Sequence, residues 1–136
     1  MIQSFSQNIS VNAQTAIPFN NTFVKGCTVE QTAPATFQFN KKGLYLVTFD
    51  ASVSSATAGN AVFQMFVNDQ PVPYGITYAN TSTAADVESC SFTARVSVGS
   101  DSSCACSQEP VTVQVKNNGT IPVTAIQANI VITKLC

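Results

Sequence analysis

A chain of 136 residues has room for one domain with a sizeable core, and with 45% apolar but only 10% charged residues it falls well short of the usual share of charge. Six Lys and Arg against seven Asp and Glu leave a formal net charge of -1, which excludes the clustered basic surface that nucleic-acid binding needs. A surface so poor in charge is expected to be covered, often by copies of the same chain.

In chain order, MIQSFSQNIS has neither the basic start nor the apolar run of a signal peptide, and no later window approaches the roughly 20 apolar residues of a membrane helix. Residues 1–10 therefore read as a short polar arm ahead of a domain spanning 11–136, in a chain made and kept in a cytoplasm unless it leaves by lysis or inside a larger particle. VNAQTAIPFNN alternates weakly through Val11, Ala13, Thr15, Ile17 and Phe19. Phe23 to Val29 reads as a short strand and Ala35 to Phe39 as another, with Phe37 and Phe39 inward.

A Lys41-Lys42-Gly43 turn then releases a strand whose Tyr45, Val47, Phe49, Ala51 and Val53 share one face. Its other face is apolar at Leu44 and Leu46 and polar at Thr48, Asp50 and Ser52. After the loop SSATAGN, AVFQMFVN puts Ala61, Phe63, Met65 and Val67 together, and Asn68-Asp69 begins a tight turn. PVPYGITYAN follows with Val72, Tyr74, Ile76 and Tyr78 aligned in strand packing, and Pro71 and Pro73 suit an edge strand. CSFTARVSV alternates cleanly, with Cys90, Phe92, Ala94, Val96 and Val98 inward. Beyond the polar loop GSDSSCACSQEP, VTVQVKNN sets Val111, Val113 and Val115 in register, and Asn118-Gly119 is a hairpin-type signal. The last segment is expected to bury Ile126, Ala128, Ile130 and Ile132. Eight or nine short strands at regular spacing make one all-β domain, a β-sandwich or jelly roll.

The chemistry is mostly missing. There is no histidine, so Ser-His-Asp and Cys-His arrangements are excluded and the commonest metal ligand is absent. Asp86 and Glu88 sit two residues apart, but side chains on one strand face stand side by side and do not flank a scissile bond. The glycines are scattered singly, without a phosphate loop. The sequons at Asn8, Asn20, Asn80 and Asn118 are chance products of an Asn-, Ser- and Thr-rich chain. No enzyme and no cofactor is expected.

Five cysteines without a secretory signal do not make a disulfide framework, and Cys27 and Cys90 read as reduced thiols. Cys104-Ala-Cys106 is the one candidate chemical motif. Three antiparallel traverses bring Cys136 to the same end of the sandwich, so free thiols, a disulfide clip to the C-terminus and a thiolate metal site on Cys104, Cys106 and Cys136 all stay open.

The order of motifs has a counterpart. Ala16-Ile-Pro-Phe19, then Phe37-Gln-Phe39, then Gly43-Leu-Tyr45-Leu-Val47-Thr-Phe49, and an alternating stretch from Thr124 to Lys134 resemble the tumour-necrosis-factor-like jelly roll of complement globular heads. The likeness spans about Val11 to Leu135 and is nearest to the bacterial and phage members, such as exosporium glycoprotein heads and phage head-fibre or tail-tip domains. It implies a homotrimer in which the sheet holding the first and last strands turns its outer face to its neighbours. On that reading Leu44, Leu46, Gln127, Asn129 and Val131 are the trimer contacts, and Ile2 and Phe5 belong to an attachment arm. The chain lacks the Gly-X-Y stalk of the collagen-like relatives. The function implied is a non-enzymatic virion protein, a trimeric capsid decoration or head fibre assembled in the bacterial host cytoplasm and docked on a capsid protein. The alternative is a receptor- or glycan-binding head of a tail tip or spore surface, with Tyr74 and Tyr78 as platforms.

Overall fold

Strict alternation of inward apolar and outward polar residues drives most of this chain into strands. The computed structural model describes residues 1–81, 86–99 and 111–136, and these hold ten strands. They are β1 (Ile2–Val11), β2 (Asn21–Val24), β3 (Val29–Ala33), β4 (Thr36–Phe39), β5 (Gly43–Ser54), β6 (Gly59–Val67), β7 (Gln70–Thr81), β8 (Glu88–Val98), β9 (Val111–Asn117) and β10 (Val123–Lys134). They form two five-stranded antiparallel sheets, the first in the order β2-β1-β10-β5-β8 and the second in the order β3-β4-β9-β6-β7.

The inward residues of both sheets merge in one core. Aromatic rings tie the layers together. Phe49 of β5 sits 5.6 Å from Phe63 of β6 and 5.3 Å from Phe92 of β8, and Tyr45 lies 4.3 Å from Phe39 of β4. The Tyr45 hydroxyl donates to the carbonyl of Lys41 at 2.6 Å, so the one polar tip in this cluster is satisfied. The strands around Tyr45, Phe49, Phe37 and Phe92 bury the faces that their alternation indicates.

Four expectations need correction. Residues 1–10 are not an arm. Ile2–Val11 is β1, hydrogen-bonded between β10 and β2, and Ile2 is fully buried, so the folded domain begins at Ile2 and not at residue 11. The strand expected over Phe23 to Val29 is broken at a positive-φ Gly26 into β2 and β3, which belong to different sheets. Between Val11 of β1 and Asn21 of β2, VNAQTAIPFNN is not a strand: it leaves the first sheet, runs beside β9 of the second and returns to the first, with Ile17 and Phe19 buried and their amides bonded to the carbonyls of Val115 and Pro34. Asn118-Gly119 does not close a hairpin, because β9 and β10 lie in different sheets.

Bulges explain two phase errors. In β10 the register slips between Ala125 and Gln127, so Ala125 is buried where Ile126 was expected and Ile126 is only half-buried. In β7, Val72 to Gly75 bulge opposite Met65, because Gln64 pairs with Ile76 while Phe66 pairs with Pro71. Val72, Gly75 and Ala79 therefore face inward, while Tyr74 and Tyr78 stand 62% and 63% exposed. β7 is an edge strand, as its prolines require. The Asn68-Asp69 turn joins β6 to β7 with both residues at positive φ, 49° and 65°, the left-handed pair that a two-residue hairpin uses.

Candidate assembly face

The outer face of the first sheet is built row by row from the strand register. Phe23, Gln3, Val131, Thr48 and Thr93 form one row across all five strands. Phe5, Asn129, Asp50 and Ser91 form the next, followed by Gln7, Gln127, Ser52 and Ser89. In the other direction lie Thr133, Leu46 and Arg95, then Leu44 beside Ser97. No element of the described chain covers these rows.

Leu44, Leu46, Gln127, Asn129 and Val131, the five positions expected at a trimer contact, all project from this face on the adjacent strands β5 and β10. Of the two residues expected in an attachment arm, Ile2 lies in the core. Phe5 lies on the outer face, where its ring stacks on Phe23 with centroids 6.5 Å apart and planes at 20°. Phe23 is 67% exposed, the most open large apolar residue among those described.

The face carries little charge. Asp50 accepts from Asn129 Nδ2 at 3.4 Å, and Asn129 Oδ1 in turn accepts from Gln3 Nε2 at 3.3 Å, a polar chain across β1, β10 and β5. Among the described residues Arg95, on β8, has no ion-pair partner.

Two grooves run along β8 where its edge passes the bulged β7. One, of about 720 Å³, is lined by Leu44, Leu46, Thr93, Arg95 and Ser97 with Tyr74 as a wall. The other, of about 480 Å³, is polar and holds Asp50, Ser52, Ser89, Ser91 and Gln127 beside Tyr78. The expected strand packing of the two tyrosines does not hold; both stand on the surface, where the alternative reading put them as platforms. The prolines that mark β7 as an edge strand were the available signal, since an edge strand has room for aromatic rings outside the core.

Cys90 lies beneath the second groove. Burial first and the nearby Asp50 carboxylate second push its thiol up to about 11, which leaves it protonated and inert at neutral pH. Cys27 and Cys136 are exposed free thiols. Cys104 and Cys106 lie outside the described residues, so the Cys104-Cys106-Cys136 site has only its last member in view; among the described residues no group of three His, Cys, Asp or Glu could hold a metal ion.

No protein-family model and no curated protein matches the chain. Solved structures do. PRD1 vertex protein P5 superposes with a TM-score of 0.59 at 16% identity, covering 99% of this chain and 96% of that one. Eiger TNF from S. frugiperda gives 0.67 at 10% identity over 98% of this chain and 92% of that one. Murine APRIL at pH 5.0 gives 0.64 at 9% identity, with 98% of both chains covered. The fold is a tumour-necrosis-factor-like jelly roll. Within that TNF-like jelly roll, the open face just described belongs to the sheet that holds the first and last strands, β1 and β10.

Proposed function

We propose that this chain is a non-enzymatic structural protein of a phage virion, a homotrimeric capsid decoration or head-fibre protein. The observation that carries the reading is the outer face of the first sheet, which no described element covers. Its apolar and amide side chains, Leu44, Leu46, Val131, Gln127 and Asn129, sit together on two central strands with few charges to keep them wet. The likeness to a phage vertex protein over nearly the whole of both chains supports the virion setting. Three copies packing these faces around an axis would desolvate Leu44 and Leu46 while the core stays untouched. Residues 2–11 are held in the sheet and are not free to serve as an attachment arm.

The test is the molar mass in solution by light scattering. The native chain should weigh three subunits, and Leu46→Asp should weigh one while keeping its β-sheet circular dichroism. A native monomer would refute the reading.

A second reading, a glycan-binding head, is favoured by the polar groove beside Tyr78, where an exposed ring stands next to a carboxylate, hydroxyls and an amide. Titration with neutral oligosaccharides, followed by the fluorescence of the exposed tyrosines, separates the two. A trimer that shows no response keeps the structural reading.

A further inference from the structure

Resting on the trimeric reading, we infer that the copy-to-copy contact is head-to-tail, with the Phe5–Phe23 aromatic pair of one subunit seated in the Leu44–Leu46–Tyr74 groove of the next. Two different patches lie at opposite edges of one sheet. β2 and β1 carry the stacked rings, Phe23 standing 67% exposed. β5 and β8, with Tyr74 of β7 as a wall, carry the groove of about 720 Å³. A closed ring needs two such unlike, complementary patches on every subunit, whereas a two-fold pair needs one patch that matches itself.

The levels agree. Rotation about an axis running along the strands leaves each residue at its own height, so patches must lie at neighbouring levels to meet. Phe23 stands in the same row as Thr93, which lines the groove, and Leu46 and Arg95 lie one row further, roughly 7 Å along the strand.

The chemistry agrees as well. Among the described residues Arg95 is a guanidinium without an ion-pair partner, in a groove lined by two leucines and a tyrosine. An aromatic face is the neutral surface that a guanidinium stacks on, and it adds no second charge to be desolvated. The groove thus fits a phenyl ring better than a carboxylate or an amide.

Complementation between two broken subunits tests this contact. Phe23→Asp removes the ring and leaves the groove; Leu46→Asp removes the groove and leaves the ring. Each alone should fall from a mass of three chains to one, with an unchanged urea midpoint for the subunit. Mixed in equal amounts, they share one intact ring-to-groove contact and should give a particle of two chains. A native trimer whose Phe23→Asp variant stays trimeric, or whose mixture stays monomeric, overturns the head-to-tail contact and leaves the trimer standing. A native monomer overturns both.

Discussion

The backbone of Gly43 lies so close against the carbonyl oxygen of Cys136 that a Cβ at this position would overlap it, and the φ of Gly43 is +147°. The same carbonyl accepts from the Leu44 amide at 3.0 Å, and the Leu44 carbonyl accepts from Leu135 at 2.7 Å. The C-terminus is thereby sewn to the start of β5. Gly43→Ala should cost about 1–3 kcal/mol, through backbone strain and loss of this closure. Urea unfolding would show a lower midpoint at unchanged slope, and a midpoint equal to the native one would refute the closure.

Phe49 and Leu46 lie three residues apart on β5 and face opposite ways, one among the rings of the core and the other on the open face. Phe49→Ala should cost about 3–5 kcal/mol of subunit stability, because it leaves a cavity between Phe63 and Phe92. Leu46→Ala should shift the subunit's unfolding midpoint little. Chemical denaturation of both variants at one low protein concentration makes the comparison.

Burial raises two acids above their ordinary values, Cys90 from 9.0 to about 11 and Tyr45 from 10.0. In each case the folded chain holds its proton at a pH where the unfolded chain has released it; the Cys90 share is complete below pH 9 and drains away as pH rises toward 11, and the Tyr45 share begins to drain only near pH 10. Unfolding midpoints measured from pH 7 to pH 11 should fall over the upper part of that range. Cys90→Ala should flatten part of the fall and leave the Tyr45 share. In the native protein at pH 8, a thiol reagent should modify exposed Cys27 and Cys136 long before Cys90.

Asn117 is a buried polar hub at the end of β9. Its Nδ2 donates to the carbonyls of Ile121 at 2.9 Å and Val11 at 3.3 Å, and its Oδ1 accepts from the Gly119 amide at 3.1 Å. It stitches the crossover from the second sheet to the first. Asn117→Ala would strand these buried backbone groups, at roughly 1–3 kcal/mol for each group left unpaired. The loss should appear as a lower thermal midpoint, with accelerated hydrogen exchange at Gly119; unchanged exchange there would refute the hub.

What could be seen in the residues alone follows from where alternation is undisturbed. β5 and β8 alternate without a slip, and their inward sets were legible one by one. β1 was hidden because its inward positions after Ile2 are Ser4 and Ser6, buried by hydrogen bonds to the carbonyls of Asn21 at 2.9 Å and Pro18 at 2.7 Å. A hydrophobicity pattern does not register serines that go inside with their partners. β7 was read in the wrong phase beyond its bulge, where the extra residues opposite Met65 turn the later side chains to the other face, whereas in β10 only Ile126, at the bulge itself, was misplaced, and Ala128, Ile130 and Ile132 are buried as expected. The open face was legible in part, through Leu44 and Leu46. Its aromatic edge was not, because Phe5 and Phe23 meet only through the pairing of β1 with β2.

The placement of the tyrosines has an optical consequence. The chain has no tryptophan and three tyrosines, so its near-ultraviolet signal comes chiefly from phenol rings in two settings. Tyr45 is sealed in the core, while Tyr74 and Tyr78 stand in the open on β7. Denaturation exposes the first, and a contact along the β8 grooves would shield the others. Absorbance changes of opposite sign should therefore distinguish an unfolding subunit from one that has merely met its neighbour, without any added dye.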